Sequence, residues 1–480
     1  MKKKEIFLLL AIILLAFALR LYKIDRPIAD WHSWRQADTA AVARNFVKDG
    51  FNLLVPKYDD MSSQANGLDN PQGYRFVEFP VYNAIVAFVW KIAGNTEPIY
   101  ARLTTVAFTL FSTIFLYLVV KKLSDLQTAA LASFFFATLP YNVFYSSTVL
   151  PAPLMVSSLL ALYFFFIKWL ENDKKRLFLA LSAIFASVAI LTWPIALFFF
   201  LPLLYLSFNK YKWSFLKKVE LWIFAILSLT PFIAWRIWML NFPEGIPSWQ
   251  FLLNDGNIRF KGAFFRWLIA ERLGKLILTT SGFALFILGF LTKFKEKEAS
   301  FYFLWLISTV IYFVIFASGN VRHDYYQIPA IPILAIFMAN GTKLLFSYKS
   351  LNIQRIILPM LALFLIISTY AFGFYEIRGY YWINRPQIVE AGQAVDQLLP
   401  KDETVIAPYG GDAAFLYQTN RRGYPIVDRP LADFVHQGTK YLVSVDVSDS
   451  SIQNFAKNCK VIEQTDNYVI IELSLECIKK

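Results

Sequence analysis

Eleven long apolar segments constrain what this 480-residue chain can fold into. In lipid every backbone polar group needs a partner within the protein, so such segments cross the bilayer as helices. Hydrophobic residues make up 57% of the sequence, against about 45–50% in soluble proteins. We therefore predict a polytopic membrane protein. The predicted spans are 6–21, 99–120, 126–139, 152–169, 177–191, 195–208, 219–240, 276–291, 300–316, 328–346 and 356–374.

The distribution of Lys and Arg predicts which way the loops face, because positive charge is concentrated in cytoplasmic loops. Residues 82–93 are apolar but short. If they do not span, Lys121, Lys122 and Lys210 fall on the same side as the N-terminus, and the opposite short loops carry almost no basic residues. We therefore place the N-terminus in the cytoplasm and interpret 82–93 as an interfacial helix that follows Pro80. The net charge of +13 fits this role, and without a nucleic-acid motif it does not indicate a nucleic-acid partner.

Three polar regions then share the extracytoplasmic side, namely the loops 22–98 and 241–275 and the tail 376–480. Two interfacial helices are expected in the first loop, and residues 263–275 have a similar pattern. The loops belong to a transmembrane catalytic domain over residues 1–375. The tail is more polar, and we expect it to form a small α/β domain. Its predicted elements are a helix over 388–399 and strands over 404–407, 440–446 and 468–473.

The two cysteines of the chain, Cys459 and Cys477, both lie in this tail. They could pair in an oxidising compartment, or they could be two free thiols. The fold class predicted from the sequence is thus mainly α, with about eleven transmembrane helices, interfacial helices and a small C-terminal α/β domain outside the membrane.

A titratable cluster follows the first span, in the sequence ADWHSWRQADTAAVARN. Charge near a membrane span usually faces protein or a water-filled cavity. Arg35 and Asp38 are three residues apart and lie on one face of a helix. Their pairing would keep Asp38 ionised, and therefore able to accept a proton or to hold a metal. The alternative is an acid that only decorates a helix N-terminus, and the local sequence favours neither interpretation.

Glu78 is a second acid, directly before the helix that follows Pro80. It could complement the helix dipole, or it could converge with Asp38 for acid–base chemistry or for a divalent metal. Asp30 and His32 are weaker candidates, because an Asp-x-His pair is often only a surface feature. Arg35 and His32 are also candidate substrate-binding residues. The candidate metal ligands are Asp30, His32, Asp38 and Glu78.

Two further places carry cations. Arg322 and His323, followed by Tyr325 in NVRHDYYQ, could hold a phosphate at head-group level. Arg236 lies near the end of a predicted span, where a charge is costly without a function. The alternative for both is an arginine that anchors a span end beside interfacial aromatic residues.

The order of these elements resembles a known group. The segments WRQADTAAVARNF, VEFPVYNAIVAFVWKIAG, YARL and RHDYYQIPAIPILA follow one another over residues 1–375 as in the GT-C superfamily of integral-membrane glycosyltransferases. The chain is most similar to the bacterial protein mannosyltransferase-like members of glycosyltransferase family 39. The aminoarabinose and oligosaccharyl transferases are more distant.

The resemblance implies an inverting transfer of a hexosyl or pentosyl unit from a polyprenyl phosphate to an acceptor hydroxyl, at the outer face of the cytoplasmic membrane. Asp38 would be the general base and Glu78 would bind substrate or assist. Arg322 and His323 would hold the donor phosphate, and the acceptor could be a protein, a lipid or a glycan. One departure is Ala152, where the family often has an acid. Another is LTWP after the fifth span, where a basic residue is missing; a divalent metal therefore stays an open expectation.

A transporter or flippase of lipid-linked saccharides is the alternative function. Transporters usually bind their substrate near the bilayer midplane, between repeated halves of the chain. In this sequence the titratable residues cluster at one surface and no repeat is visible, which favours the enzyme. A third reading is a non-catalytic scaffold, and the presence of both acids argues against it.

Overall fold

The computed structural model describes residues 3–292, 294, 296–347 and 354–479. Helices account for most of this part of the chain. In chain order they are α1 (Lys3–Arg20), α2 (Ser33–Asp49), α3 (Val81–Ala93), α4 (Pro98–Leu123), α5 (Leu126–Thr138), α6 (Pro140–Tyr145), α7 (Ala152–Glu171), α8 (Arg176–Thr192), α9 (Leu201–Tyr211), α10 (Val219–Trp238), α11 (Phe251–Asn254), α12 (Gly262–Phe265), α13 (Thr279–Phe290), α14 (Glu296–Ile315), α15 (Ala317–Arg322), α16 (Ile331–Ser347), α17 (Gln354–Ile377), α18 (Gln387–Leu398), α19 (Ala413–Gln418), α20 (Leu431–His436) and α21 (Ser450–Asn458).

Ten of the eleven predicted spans overlap one of these helices over most of their length, and the span 195–208 consists of a 3-10 helix, Pro194–Phe200, followed by α9. Six of the described helices are long and apolar enough to cross a membrane, and a seventh span results if the pair Gly262–Ile277 and Thr279–Phe290, bent by 106°, is counted as one. The helices α5 and α8 are apolar but shorter. The prediction of a polytopic, mainly α-helical membrane protein is confirmed.

The chain forms two compact units. The first contains the described residues within 1–24, 102–236 and 249–379, and it holds the membrane helices. Its centre is formed by α7 and α16, which are buried along most of their length. Gly289 of α13 and Gly341 of α16 let these helices approach closely, because a Cβ at either position would overlap a backbone carbonyl of the other helix.

The second unit contains residues 25–101, 237–248 and 380–480. It includes a five-stranded sheet of β1 (Val405–Ile406), β2 (Gly423–Tyr424), β3 (Tyr441–Ser444), β4 (Lys460–Gln464) and β5 (Val469–Glu472), in the order β2-β1-β3-β5-β4. Strands β2, β1 and β3 are parallel, whereas β5 is antiparallel to β3 and to β4. The predicted small α/β element at the C-terminus is therefore present.

Two strands of this sheet were not predicted. The strand β2 has only two residues, and β4 is an edge strand with exposed, polar ends, so neither has an apolar pattern. Cys459 and Cys477 form a disulfide next to β4 and β5, which decides between the two alternatives that the sequence left open.

The loop after α1 belongs to the same unit as the sheet. Backbone hydrogen bonds run from Gly423 N to Asp59 O, at 2.9 Å, and from Met61 N to Gly423 O, at 2.8 Å. Helix α2 packs against α19, and Arg44 donates to the carbonyl of Tyr417 at 3.0 Å. The predicted domain boundary at residue 375 stays a prediction; the compact unit places the tail together with residues 25–101.

Candidate active site

Helix α2 carries the acid predicted to be catalytic. The helix starts after His32, whose left-handed backbone (φ 54°) turns the chain into it, and most of its residues are buried. Asp38 lies in the second turn, and only 4% of its side chain is exposed. On α3, Asn83 donates to the carbonyl of Thr39 at 2.7 Å, which fixes the two helices to each other beside Asp38. The carboxylate is therefore a buried charge, and its partners decide its chemistry.

Two arginines hold this carboxylate. Arg35 Nη1 donates to Asp38 Oδ2 at 2.6 Å. Arg75 binds in a fork, with Nε 2.9 Å from Oδ1 and Nη2 2.6 Å from Oδ2. Such bidentate, charge-assisted pairs combine strong attraction with fixed geometry. The predicted pairing of Arg35 with Asp38 on one helix face is present, and Arg75 adds a second cation.

Glu78 joins the same group through Arg35. Arg35 Nη2 lies 2.7 Å from both carboxylate oxygens of Glu78, and 10% of each side chain is exposed. Two acids and two guanidinium groups thus form a nearly buried cluster, in which the formal charges cancel. We call Asp38, Glu78, Arg35 and Arg75 the acid–guanidinium cluster.

The environment of Asp38 lowers its pKa. Burial alone would raise the pKa of this carboxyl group, but the charges and hydrogen bonds of Arg75 and Arg35 outweigh burial and hold the pKa below its usual value. Asp38 is therefore ionised at neutral pH. Arg75 remains protonated, because the attraction of Asp38 more than compensates for the burial that would lower its pKa.

The loop between α2 and α3 holds Arg75 in place. The Arg75 guanidinium lies 4.9 Å from the ring centroid of Tyr58 and also donates to the Gln64 side chain. Gln64 in turn donates to the Tyr58 hydroxyl, which donates to Asp60 at 3.1 Å. A polar network of this kind keeps an arginine in one rotamer, so the geometry around Asp38 is preorganised.

The chain around Glu78 is fixed by the segment 237–248. Phe76 N donates to the carbonyl of Gly245 at 2.8 Å, and the Phe76 ring stacks on Phe242 with centroids 5.3 Å apart. A Cβ at Gly245 would collide with Tyr74 and Phe76, so this close approach requires a glycine. Residues far apart in sequence thus position the second acid.

Asp30 and His32, the weaker candidates, have other surroundings. Asp30 accepts hydrogen bonds from Arg26 and from Gln36, the latter at 2.7 Å, and it is almost fully buried. The His32 ring packs edge-on against Trp31, with centroids 5.2 Å apart. Trp31 also stacks on Tyr380. These contacts give both residues a role in shaping the start of α2.

The candidate ligands do not fit a divalent cation in this arrangement. Within the described ranges, no group of three or more His, Cys, Asp or Glu side chains is placed to hold a metal ion. Both oxygens of Asp38 and of Glu78 already accept from guanidinium groups, whose charge would repel a cation. The metal requirement stays an untested expectation, and no step below uses a metal.

The cations predicted to hold a phosphate lie in the other compact unit. Arg322 is half exposed, donates to Asp255 and lies 5.6 Å from the Phe251 ring centroid. The rings of His323 and Tyr325 are 5.6 Å apart, and Tyr325 is buried. Arg236 lies 5.2 Å from the Phe232 ring centroid, as expected for an arginine among aromatic residues at a span end.

The sequence interpretation did not select Asp324, Arg272 or Arg75. Asp324 is 1% exposed, accepts from the Tyr145 hydroxyl, and has Arg272 Nη1 3.7 Å from its carboxylate. Arg272 lies in the π-helix Arg266–Ile277, within the segment predicted to be interfacial. Arg75 lies three residues before Glu78. No local signal pointed to Arg75, because its contact with Asp38 joins residues that are 37 positions apart.

The chain resembles one known protein family over part of its length. Residues 71–238, which are 168 of the 480, match the family described as dolichyl-phosphate-mannose-protein mannosyltransferase. They include Arg75 and Glu78. No sequence among curated proteins matches the chain.

Solved structures with the same fold cover nearly the whole chain. ArnT from Cupriavidus metallidurans bound to undecaprenyl phosphate has a TM-score of 0.68 at 12% identity, over 98% of each chain. The oligosaccharyltransferase of Archaeoglobus fulgidus with Zn and sulfate has a TM-score of 0.57 at 13% identity, over 92% of this chain and 68% of that one. The archaeal AglB with an inhibitory peptide and a dolichol-phosphate has a TM-score of 0.55 at 13% identity, over 93% of this chain and 70% of that one.

These findings show that the chain shares the fold of ArnT and of the archaeal oligosaccharyltransferase, and that residues 71–238 match the mannosyltransferase family. More particularly, the resemblance to protein mannosyltransferase-like proteins predicted from the sequence is confirmed. At these identities the structural matches establish the fold alone.

Proposed function

We propose that the protein is an inverting glycosyltransferase that moves a sugar from a polyprenyl-phosphate donor to an acceptor hydroxyl. The family match and the GT-C fold support glycosyltransferase activity. Two of the similar solved structures contain a polyprenyl phosphate, namely undecaprenyl phosphate and a dolichol-phosphate. The observation that carries the proposal is Asp38, a buried carboxylate that two arginines keep ionised on the helix that follows the first apolar one.

In the proposed reaction, the acceptor oxygen bonds to the anomeric carbon on the face opposite the phosphate. The bond between that carbon and the phosphate oxygen breaks, and its electron pair leaves with the polyprenyl phosphate. The hydroxyl proton passes to Asp38. Because Asp38 is a weak base with a lowered pKa, it takes the proton late, when bond formation has made the hydroxyl acidic.

The hydrogen bonds around Asp38 leave room for this role. Each carboxylate oxygen can accept two hydrogen bonds, and Oδ1 accepts one from the protein, from Arg75. The second acceptor direction of Oδ1 is the one we assign to the acceptor hydroxyl. Glu78 positions Arg35 and thereby Asp38, and we propose that it also contributes to substrate binding.

We assign the donor phosphate to Arg322, His323 and Tyr325, with Arg236 as a further cation. Arginine fits phosphate because its guanidinium offers several donors in one plane. Cations placed where charge develops on the departing phosphate lower the barrier. Loop charges support an orientation in which the acid–guanidinium cluster is extracytoplasmic. The resemblance to bacterial family members supports a place in the cytoplasmic membrane of a bacterium, where a lipid-linked donor replaces a nucleotide sugar.

The test is sugar transfer in reconstituted vesicles from a panel of radiolabelled polyprenyl-phosphate sugars, with hydrolysis of the donor scored as well. Wild type is compared with Asp38→Asn and with Asp173→Asn. Asp173 is a partly exposed acid paired with Lys210 and Lys218. We expect Asp38→Asn to lower turnover about a hundredfold or more, and Asp173→Asn to leave it unchanged. Equal turnover in all three would remove Asp38 as the base. Movement of label across the bilayer without transfer would favour a flippase.

A further inference from the structure

A cavity of about 700 Å³ opens at the carboxyl ends of the parallel strands in the C-terminal tail. Tyr409 follows β1, Arg429 follows β2, and Asp446 follows β3, and all three line it. Strands β2 and β3 lie on opposite sides of β1. The chain therefore changes direction across the sheet after β2, and the switch point lies between β1 and β3. Open α/β sheets bind ligands at such a switch point, and the volume is typical of a small-molecule site.

The charges of this cavity are already balanced. Its charged lining residues are Arg385, Arg429, Asp446 and Asp449. Arg385 Nη1 lies 3.1 Å from Asp446 Oδ1, and Arg429 pairs with Asp428 and Asp69. The Asp449 carboxylate caps α21. A phosphate or a nucleotide would have to break these pairs, so the lining favours a ligand that is polar but uncharged.

The cavity also combines an apolar floor with planar polar groups. Leu442 and Ile452 of the domain core form part of the floor, and Phe455 packs against them. The Tyr409 ring stands beside them, with the Arg385 guanidinium 5.8 Å from its centroid. The C–H face of a sugar ring matches such a floor. Its hydroxyls both donate and accept, and so match a carboxylate next to a guanidinium.

We propose that this cavity is a binding site for a neutral saccharide of one or two rings. Arg385 and Asp446 bind its hydroxyls, and Tyr409 packs against its ring. The site is separate from the acid–guanidinium cluster in residue composition, and its assignment does not depend on the transfer reaction. A saccharide-binding site gives the C-terminal tail a function of its own, which the fold match does not supply.

The test uses the full-length protein in lipid nanodiscs, because sugar-based detergents would compete for the site. Binding is measured by saturation-transfer NMR and calorimetry with mannose, glucose, galactose, N-acetylglucosamine and maltose, and with inorganic phosphate as the anionic probe. No lipid donor is present, so failure of sugar transfer would not affect the result. The variants are Arg385→Gln and Asp446→Asn, whose side chains are 49% and 62% exposed, so that folding is preserved. Lys460→Gln removes a comparable exposed pair, with Glu472, as the control.

We expect at least one neutral sugar to bind. Arg385→Gln and Asp446→Asn should each weaken its affinity about tenfold, the effect of losing one charge-assisted hydrogen bond, and Lys460→Gln should not change it. The proposal is overturned if no sugar of the panel binds saturably, if Arg385→Gln and Asp446→Asn both bind as wild type does, or if phosphate binds more tightly than every sugar.

Discussion

Asp38 and Asp255 both form ion pairs with arginine, but the two sites differ in their exposure to solvent. Asp38 has 4% of its side chain exposed and accepts from two guanidinium groups, whereas Asp255 is 46% exposed and pairs with Arg322, itself 52% exposed. Water and salt screen the exposed pair, so it contributes little to stability. The buried pairs are hardly screened, and they fix both the position and the ionisation of Asp38. Asp38 is therefore a preorganised acid because it is buried, whereas the exposed Arg322 can exchange Asp255 for a ligand.

Replacing Arg35 by Ala should have the largest effect on stability and on transfer. It leaves Glu78 without its arginine and Asp38 with Arg75 alone. Removing one partner of a buried ion pair costs about 3–5 kcal/mol, because an uncompensated charge stays buried. Chemical denaturation in detergent should show a loss of this size, together with loss of transfer. Arg322→Ala is the control and should cost no more than about 1 kcal/mol. Equal losses in the two variants would contradict the comparison.

Replacing Arg75 by Gln should change the pH dependence of transfer. Burial raises the pKa of Asp38, and Arg75 is the first of the groups that oppose burial. In wild type the lowered pKa keeps Asp38 ionised, so activity should fall only as the pH drops below about 4, the usual value for Asp. Without Arg75 the pKa rises, and the loss of activity on acidification should begin at a higher pH.

The measurement is kcat/KM from about pH 3 to about pH 9, which reports the groups that titrate in the free enzyme. Arg322→Gln serves as the control, and its acidic limb should match that of wild type. An unchanged limb in Arg75→Gln would mean that Asp38 is not the titrating base, even if the variant is less active.

Replacing Glu78 by Gln should have a smaller effect. The amide oxygen of Gln can still accept from Arg35, but the negative charge is lost. We expect kcat/KM to fall about tenfold, the effect of one charge-assisted hydrogen bond. Glu97→Gln, an exposed acid just before α4, should leave kcat/KM unchanged. A fall as large as that of Asp38→Asn would instead give Glu78 the role of base.

The sequence predicted the membrane helices well, because long apolar segments have few alternatives to a helix in lipid. It also brought together Arg35 and Asp38, since helical periodicity makes residues three apart neighbours. It missed Arg75, whose place beside Asp38 depends on a loop held by Tyr58 and Gln64. No local periodicity encodes such a contact.

The C-terminal sheet also depends on contacts that no local sequence pattern predicts. Strands β3 and β5 have apolar centres and were predicted, whereas β2 is defined only by its partners. Residues 59–61 contact β2 over more than 350 positions of sequence, through hydrogen bonds to Gly423. The compact unit that combines the first loop with the tail therefore could not be deduced from composition shifts, which place a boundary near residue 375.

The smallest expected effect concerns the exposed pair of Arg322 and Asp255. The direction of the change in KM distinguishes two roles of Arg322. If Arg322 holds the donor phosphate, Asp255 competes for the same guanidinium. Arg322→Gln should then raise the KM for the lipid donor about threefold, and Asp255→Asn should lower it by a similar factor, as expected for an interaction worth under 1 kcal/mol. Both changes should shrink at high salt, because exposed charges are screened. An arginine that only anchors the span end would lose its pairing in both variants, so both would change KM in the same direction or not at all. Opposite shifts in KM at constant kcat would thus assign Arg322 to donor binding, and would leave the proton transfer to Asp38 in the acid–guanidinium cluster.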